Sequence, residues 1–255
     1  MTRSRLCFVL TACLSGFAGR PLLAASRPSG SQAASAARLS ETLLEAPMLF
    51  EPNQGQADSR ARFVASGPVY AVLLTASGAE ISLRAPAGRD ARAEVIGLKL
   101  VGSSRRAAIL GEEPRPARSN YLRGSDPARW LTNVVTYGSV RYREVYPGID
   151  LIYHGNTQQQ LEYDFVVAPG ADPESIALHI EGVRKLGLDR AGNLSLKTAS
   201  GVLLEHAPVI YQEVGGRRVE IAGRYVLKGK REVGFKLAAY DRKRRSPSRA
   251  GPHHP

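Results

Sequence analysis

The stretch from Val140 to Pro173, VRYREVYPGIDLIYHGNTQQQLEYDFVVAPGADP, decides the fold class. Large apolar and aromatic side chains recur mostly at every second position, and polar or charged side chains fall between them. A period of two predicts strands with one well-buried face. The large side chains on the predicted buried face of the first half are Tyr142, Val145, Ile149, Leu151 and Tyr153.

Two turn signals divide this stretch. Tyr146-Pro147-Gly148 predicts a kink, bulge or tight turn, because proline cannot donate a hydrogen bond to a strand ladder. Residues 155–160 are polar and short enough to close a hairpin onto a second strand at 161–167. The turn formers in 168–173 end that strand. Its predicted core side chains are Leu161, Tyr163, Phe165 and Val167.

Working outward, short strand patterns follow one another at spacings of about eight to twelve residues, with almost no helical period. This rhythm predicts an all-β fold, an antiparallel β-sandwich with meander hairpins, built as one sandwich or as two packed β lobes. Gly215-Gly216 predicts a type I′ turn. The other predicted strands are 61–66, 69–75, 80–84, 93–101, 132–137, 176–181, 186–188, 194–196, 202–205, 209–214, 217–222, 223–227 and 232–239.

Two features near the middle of the chain have specific predictions. Residues 105–118 contain Pro114 and Pro116, which predicts a surface crossover rather than a strand. Trp130, the only tryptophan, follows a turn-forming Asp-Pro pair at the start of a strand pattern. A tryptophan in that position favours a core anchor over a carbohydrate-stacking platform.

Residues 1–25 have the pattern of a signal peptide that lies outside the folded domain. A basic start precedes the apolar run 6–18, and 22–25 offers a small-residue cleavage site. The run is too short to span a bilayer as a permanent helix. Leu10-Thr11-Ala12-Cys13 also matches a bacterial lipobox, so lipidation at Cys13 is the alternative to cleavage. Both options predict an exported protein, periplasmic, extracellular or in the outer envelope.

Cleavage would also remove both cysteines, Cys7 and Cys13. The remaining chain would have no disulfide, Cys-ligated metal site or Cys nucleophile. The formal net charge is +12, but residues 1–25 carry three arginines without an acid and residues 242–255 carry five basic residues without an acid. The remaining +4 does not indicate a nucleic-acid partner.

Composition divides the rest of the chain. Residues 26–42, rich in Ser and Ala, predict a flexible linker, and 43–241 hold the β-sandwich domain. Residues 242–255, RKRRSPSRAGPHHP, predict a disordered basic tail in which His253 and His254 are incidental. The alternatives for its origin are a native tail on a stand-alone copy of the domain and a truncated or frameshifted reading frame.

The paired carboxylates Glu162 and Asp164 lie two residues apart on one predicted strand face. Two carboxylates can serve a glycosidase, but a solvated strand face explains them more simply. Asp150, Asp164 and Asp172 could gather around Ca²⁺, yet no D-x-D-x-D-G loop is present. Ionisable side chains are therefore predicted to face solvent, and no catalytic or metal-binding residue is assigned.

The remaining signatures are absent as well. His154, His179 and His206 are widely spaced and predict structural or surface roles. The sequence has no G-x-S-x-G, Walker A or G-x-G-x-x-G motif. It therefore gives no support for a catalytic triad, a phosphate-binding loop or a dinucleotide-binding site. No cofactor is predicted.

Four motifs in order carry a family resemblance: FEPNQGQ (Phe50–Gln56), NYLRGSDPARW (Asn120–Trp130), VRYREVYPGIDLIYHG (Val140–Gly155) and LEYDFVVAPGADP (Leu161–Pro173). The region from about Phe50 to Asp241 resembles an uncharacterised N-terminal β domain of secreted bacterial proteins with SBBP repeats. The resemblance implies that the domain precedes a seven-bladed β-propeller formed by those repeats. It implies no catalytic residue.

Two function classes remain. The favoured one is a non-enzymatic β module of the cell envelope or exterior, whose partner is a β-propeller domain, another protein or a surface glycan. The alternative is a carbohydrate-active enzyme that uses Glu162 and a second carboxylate. Membrane contact is expected only if Cys13 is lipidated, and a weaker hypothesis assigns anionic-surface binding to the basic tail.

Overall fold

The computed structural model describes residues 48–67, 70–83, 93–156, 159–214 and 217–240, together with the backbone of residues 6–13. Within these ranges, two short 3-10 turns, Pro127–Arg129 and Pro173–Ser175, accompany the strands. The strands are β1 (Leu6–Cys13), β2 (Phe50–Pro52), β3 (Ala61–Ser66), β4 (Tyr70–Thr75), β5 (Gly78–Leu83), β6 (Glu94–Leu100), β7 (Ala108–Tyr121), β8 (Leu131–Tyr146), β9 (Ile149–Gly155), β10 (Leu161–Val167), β11 (Ala177–Glu181), β12 (Lys185–Leu188), β13 (Leu194–Lys197), β14 (Val202–Glu205), β15 (Val209–Val214), β16 (Arg217–Glu220), β17 (Gly223–Leu227) and β18 (Glu232–Leu237). A search of the described residues for a helix long and apolar enough to cross a membrane finds none.

The strands form two large antiparallel layers. One layer has the order β16-β15-β1-β10-β9-β8-β7. The other has the order β17-β18-β11-β6-β5-β4-β3-β2. Strand β8 also pairs with β2, through Tyr137 and Phe50, so it links the two layers. Strands β12, β13 and β14 form a small meander beside them. The predicted all-β antiparallel sandwich is confirmed.

The alternation that predicted buried faces in β8 and β9 is confirmed. Its five large side chains are at most 2% exposed: Tyr142, Val145, Ile149, Leu151 and Tyr153. The step of three between Tyr142 and Val145 breaks the period of two. The ladder shifts register between Tyr142 and Tyr146, and Glu144 has a positive φ of 51°. This bulge returns Val145 to the buried face.

Both predicted hairpin turns are present. Strand β8 ends at Tyr146, β9 begins at Ile149, and Gly148 has a φ of +69° that favours glycine. Between β9 and β10, the amide of Asn156 donates to the carbonyl of Gln160 at 3.0 Å. The central unit of the first layer is therefore a local meander, which the sequence pattern specifies on its own.

The inner faces of the two layers meet in one core. The rings of Phe165 on β10 and Phe235 on β18 lie 6.1 Å apart, centroid to centroid. The Tyr142 hydroxyl donates to the Thr75 carbonyl on β4 at 2.8 Å, across the layers. Burying large aromatic side chains contributes about 1.5–3 kcal/mol each, and their hydroxyls find partners, which avoids a desolvation cost.

Residues 105–118 were predicted as a crossover, and this prediction is wrong. Strand β7 runs through them and pairs with β8, with Pro114 opposite Tyr137. Within the described residues β7 pairs with no other strand, so its outer edge needs no backbone donor and tolerates proline. A register shift between Arg115 and Arg118 accommodates the second proline.

Trp130 was predicted as a core anchor, and this prediction is also wrong. The residue is only half-buried, because β8 begins after it and leaves it at the end of the 3-10 turn Pro127–Arg129. Its indole N–H donates to the Gly124 carbonyl at 3.1 Å. The side chain therefore closes a loop at the surface.

The other strand predictions hold with small shifts of their ends. The region predicted as a separate strand at 132–137 is the first half of the long strand β8. Gly215-Gly216 lies outside the described residues, while Val214 and Arg217 on either side pair as a hairpin requires. The predicted linker 26–42 and tail 242–255 also lie outside the described residues.

Strand β1 departs from expectation. Residues 1–25 were predicted to lie outside the fold, whereas the backbone of Leu6–Cys13 is a strand in the first layer, between β10 and β15. A continuous apolar run of this length is compatible both with a signal peptide and with a strand buried on both faces, so its pattern does not separate the two. Removal of this segment by cleavage stays a prediction.

Candidate functional site

Three ionisable side chains meet on the face of β9 and β10 that points away from the core. His154 lies opposite Glu162 in the ladder, and Asp164 follows two residues later on the same face. The imidazole Nε2 is 3.2 Å from Asp164 Oδ2, and Nδ1 is 3.7 Å from Glu162 Oε2. These three residues are called the acid–histidine cluster below. The predicted shared face of Glu162 and Asp164 is thus confirmed, and His154 joins them.

The cluster is less solvated than predicted. The side chains of His154, Glu162 and Asp164 are 27%, 17% and 22% exposed. Asn156 Nδ2 donates to Glu162 Oε1 at 3.0 Å. The contact between His154 Nε2 and Asp164 Oδ2 falls short of hydrogen-bond geometry, so Nε2 has no hydrogen-bond partner among the described residues. The other oxygen, Asp164 Oδ1, also has none among them. The contact is therefore an ion pair.

The neighbouring carboxylates make the imidazole of His154 easier to protonate than that of a free histidine. Burial by itself lowers the pKa of His154. The contact with Asp164 and the charges of Asp164 and Glu162 outweigh burial, so the net pKa is raised. The protonated ring then compensates two carboxylates that would otherwise repel each other on one face.

A second charge network lies on neighbouring strands. Arg141 on β8 contacts Glu112 on β7 at 2.7 Å and Asp150 on β9 at 3.2 Å. Asp150 also accepts the backbone N–H of Glu144 at the bulge, at 2.8 Å. Its carboxylate is therefore committed to Arg141 and to the turn.

The hypothetical calcium trio does not assemble. Asp150 pairs with Arg141, Asp164 pairs with His154, and Asp172 caps the 3-10 turn Pro173–Ser175 by accepting the Glu174 N–H. Among the described residues, no group of three or more His, Cys, Asp or Glu side chains is arranged to hold a metal ion.

The other two histidines lie elsewhere. His179 is half-buried on β11, opposite Lys99 and Glu232, and His206 is exposed just after β14. Neither side chain belongs to the acid–histidine cluster. Their prediction as structural or surface residues agrees with these positions.

A buried carboxyl group was missed by sequence reasoning. Glu205, at the end of β14, is 2% exposed, and its Oε1 accepts hydrogen bonds from the Tyr225 hydroxyl, at 3.1 Å, and from the Tyr163 hydroxyl. These three residues are called the carboxyl–tyrosine cluster below. The prediction that ionisable groups face solvent is wrong at Glu205. A glutamate that ends the apolar run VLLE is the only local signal.

Burial dominates the electrostatics of this second cluster. It raises the pKa of Glu205, although the two tyrosine hydrogen bonds act in the opposite direction. Burial and the nearby carboxylate raise the pKa of both Tyr163 and Tyr225. Tyr163 and Tyr225 are each 1% exposed, so both side chains are almost completely shielded from solvent.

The arrangement limits what the acid–histidine cluster can do chemically. Both ring nitrogens of His154 face carboxylates, so neither is directed at a nucleophile such as Ser139, which lies opposite His154 on β8. For glycoside cleavage the scissile bond must lie between two carboxyl groups. The imidazole occupies the space between Glu162 and Asp164. The cluster is thus arranged to neutralise its own charges.

Comparison with known proteins adds a family and nothing on activity. Neither the curated proteins nor the solved structures contain a match to this chain. The family model described as Domain of unknown function (DUF7948) matches residues 50–245, which is more than half of the chain. This match covers β2 to β18 and both clusters, and therefore every strand of the two layers except β1. The chain belongs to the family described as Domain of unknown function (DUF7948).

Proposed function

We propose that this domain is a non-enzymatic, exported module of the cell envelope or exterior that binds or supports a partner. The observation that carries the proposal is the internal pairing of the acid–histidine cluster. His154 contacts both candidate carboxylates, and Asn156 holds the remaining Glu162 oxygen. Carboxylates held by internal partners are poorly placed to bind and cleave a substrate, which supports a non-enzymatic role.

The proposed partner follows from the four sequence motifs. Their resemblance to domains that precede SBBP repeats favours a β-propeller attached in the same or a neighbouring chain. A surface protein or a glycan is the other class of partner. Export is supported by the pattern of residues 1–25, with cleavage after Ala25 or lipidation at Cys13.

The binding proposal is tested with the purified protein and a propeller made of SBBP repeats. Size-exclusion chromatography with light scattering and calorimetry would measure complex formation. A stoichiometric complex is expected. A protein that binds neither the propeller nor a glycan array would refute the binding role.

The competing function is a carbohydrate-active enzyme, favoured by Glu162 and Asp164 sharing one half-buried face. Hydrolysis of a panel of polysaccharides would be measured for the wild type, Glu162→Gln and Asp164→Asn. Glu174→Gln, an exposed acid elsewhere, is the matched control. No turnover is expected; turnover that Glu162→Gln abolishes and Glu174→Gln retains would establish the enzyme.

The export proposal has a separate readout. Mass spectrometry of the protein recovered from its native cell envelope or medium would give the mass of the N-terminus. A chain beginning at Ser26 or a lipidated Cys13 is expected. An intact N-terminus on a cytoplasmic protein would refute export.

A further inference from the structure

The backbone of β1 lies in the interior of a sheet rather than at its edge. On one side Leu6 to Thr11 pair with Val167 to Glu162 of β10, antiparallel. On the other side Leu6 to Val9 pair with Gln212 to Val209 of β15, also antiparallel. The space between β10 and β15 is called the strand slot below.

An empty strand slot would be costly. Both flanking strands would present unpaired N–H and C=O groups, and such groups are expensive when they are not fully hydrated. The slot also borders the core, because Phe165 on β10 is 0% exposed and Ile210 on β15 is 1% exposed. The folded domain therefore requires a strand at this position.

The occupant also connects the small meander to the first layer. Ala12 and Cys13 pair with Glu205 and Leu204 of β14. In the described residues, β14 pairs otherwise only with β13. Through the occupant of the slot, the strand that carries Glu205 is hydrogen-bonded to the layer that carries Tyr163.

The chemistry of a suitable occupant follows from the ladder. Phe8 is opposite both Phe165 and Ile210, and Leu10 is opposite Tyr163, all positions that require apolar residues in the neighbouring strand. The whole segment, LCFVLTAC, carries no charge. The slot thus matches an extended, uncharged, apolar peptide of about eight residues that runs antiparallel to both neighbours.

The same residues form the apolar run of the predicted signal peptide. We infer that the strand slot is a strand-acceptor site: Leu6–Cys13 fills it in cis, and after removal of that segment an extended apolar strand of a partner polypeptide takes its place. Strand addition of this kind uses backbone hydrogen bonds for affinity and side-chain positions for selectivity. The inference rests on the export part of the proposed function, because cleavage must remove the segment, but it does not depend on whether the domain is an enzyme.

The test uses the full chain with a protease sequence introduced within residues 26–42. The chain is cut under native conditions and passed over a sizing column. The N-terminal fragment is expected to stay with the body of the protein. It should then exchange with a fluorescent synthetic peptide of residues 4–14 in which both cysteines are replaced by serine, measured by polarisation.

A matched pair of variant peptides distinguishes strand pairing from nonspecific hydrophobic binding. Val9 lies opposite Asp164 and Val209, so Val9→Pro removes a backbone donor in the middle of the slot. This peptide is expected to bind at least about tenfold more weakly, whereas Val9→Thr keeps a β-branched residue and the donor and should bind within about threefold.

Each outcome decides the inference. The inference is supported if the N-terminal fragment stays bound after cutting and exchanges with the added peptide. It is also supported if release of the fragment unfolds the protein and the added peptide refolds it. Release that leaves the urea midpoint of the remaining protein unchanged overturns it. Unfolding that peptide does not reverse, or equal binding of the proline peptide, overturns it as well.

Discussion

Replacement of Glu205 gives the sharpest test of the buried carboxyl–tyrosine cluster. Glu205→Leu removes the acceptor of two hydroxyls, on Tyr163 and Tyr225, each of which is 1% exposed. An unsatisfied buried polar group costs about 1–3 kcal/mol, so the expected loss is roughly 2–6 kcal/mol. Glu205→Gln keeps an oxygen acceptor at the same place and should cost far less.

The measurement is urea unfolding followed by tyrosine fluorescence and circular dichroism. At pH 5 we expect Glu205→Leu to have a clearly lower free energy of unfolding than Glu205→Gln. The Tyr163→Phe/Tyr225→Phe double variant removes the two donors, and adding Glu205→Leu to it should cost much less than in the wild type. Equal losses in both backgrounds, or no difference between Leu and Gln, would refute the argument.

The raised pKa of Glu205 adds a pH signature. A carboxyl whose pKa in the fold lies above its ordinary value of 4.5 contributes stability that is complete below that value. This contribution is lost as pH rises through the higher folded pKa. The glutamine variant has no such titration, so its stability should gain on the wild type as pH rises above about 4.5. A constant difference across pH would contradict a raised pKa.

Three further substitutions test other parts of the fold. His154→Asn should make the free energy of unfolding less dependent on pH. Because the pKa of His154 is raised in the fold, its ion pairs contribute fully to stability below the ordinary pKa of 6.5, and this contribution is lost as pH rises through the folded pKa. A difference in urea midpoint between variant and wild type that stays the same at every pH would contradict this prediction. Gly78→Ala should lower the melting temperature strongly, by an amount equivalent to more than about 2 kcal/mol. Gly78 has a φ of +138°, and an added Cβ would lie 2.0 Å from the Leu98 carbonyl oxygen. Gly229→Ala is the control, because no atom lies within 4 Å of its added Cβ; equal melting temperatures for the two variants would count against the close approach of Gly78 to Leu98. Arg141→Met should cost about 1–3 kcal/mol in calorimetry, because the half-buried Glu112 and Asp150 lose their cationic partner. Arg60→Met, at an exposed ion pair, is the control and should cost less. The reverse order would refute the argument from burial.

Local patterns predicted the centre of the fold well. The alternation in β8, β9 and β10 and the turn at Gly148 depend on neighbours in sequence, so Tyr153 and Phe165 could be assigned to the core directly. The prolines of 105–118 misled the prediction because proline excludes a strand only when its N–H must pair, and strand position is a property of the whole sheet.

The candidate site was harder to predict, because its contacts join strands distant in sequence. The shared face of Glu162 and Asp164 followed from their spacing, whereas the placement of His154 between them required the hairpin register. Glu205 contacts Tyr163, a residue 42 positions away, and nothing in the local pattern marks that pairing. The strand formed by Leu6–Cys13 was missed because an export signal and a central strand share the same apolar composition.

Strand β8 has a consequence for how the domain responds to force. It pairs along one edge with β7 and along the other with β9 and β2, so both layers hold the same 16-residue segment. Neither layer can be peeled away while that segment keeps its place. Pulled from its two termini, the domain should rupture as one mechanical unit, in a single step rather than layer by layer.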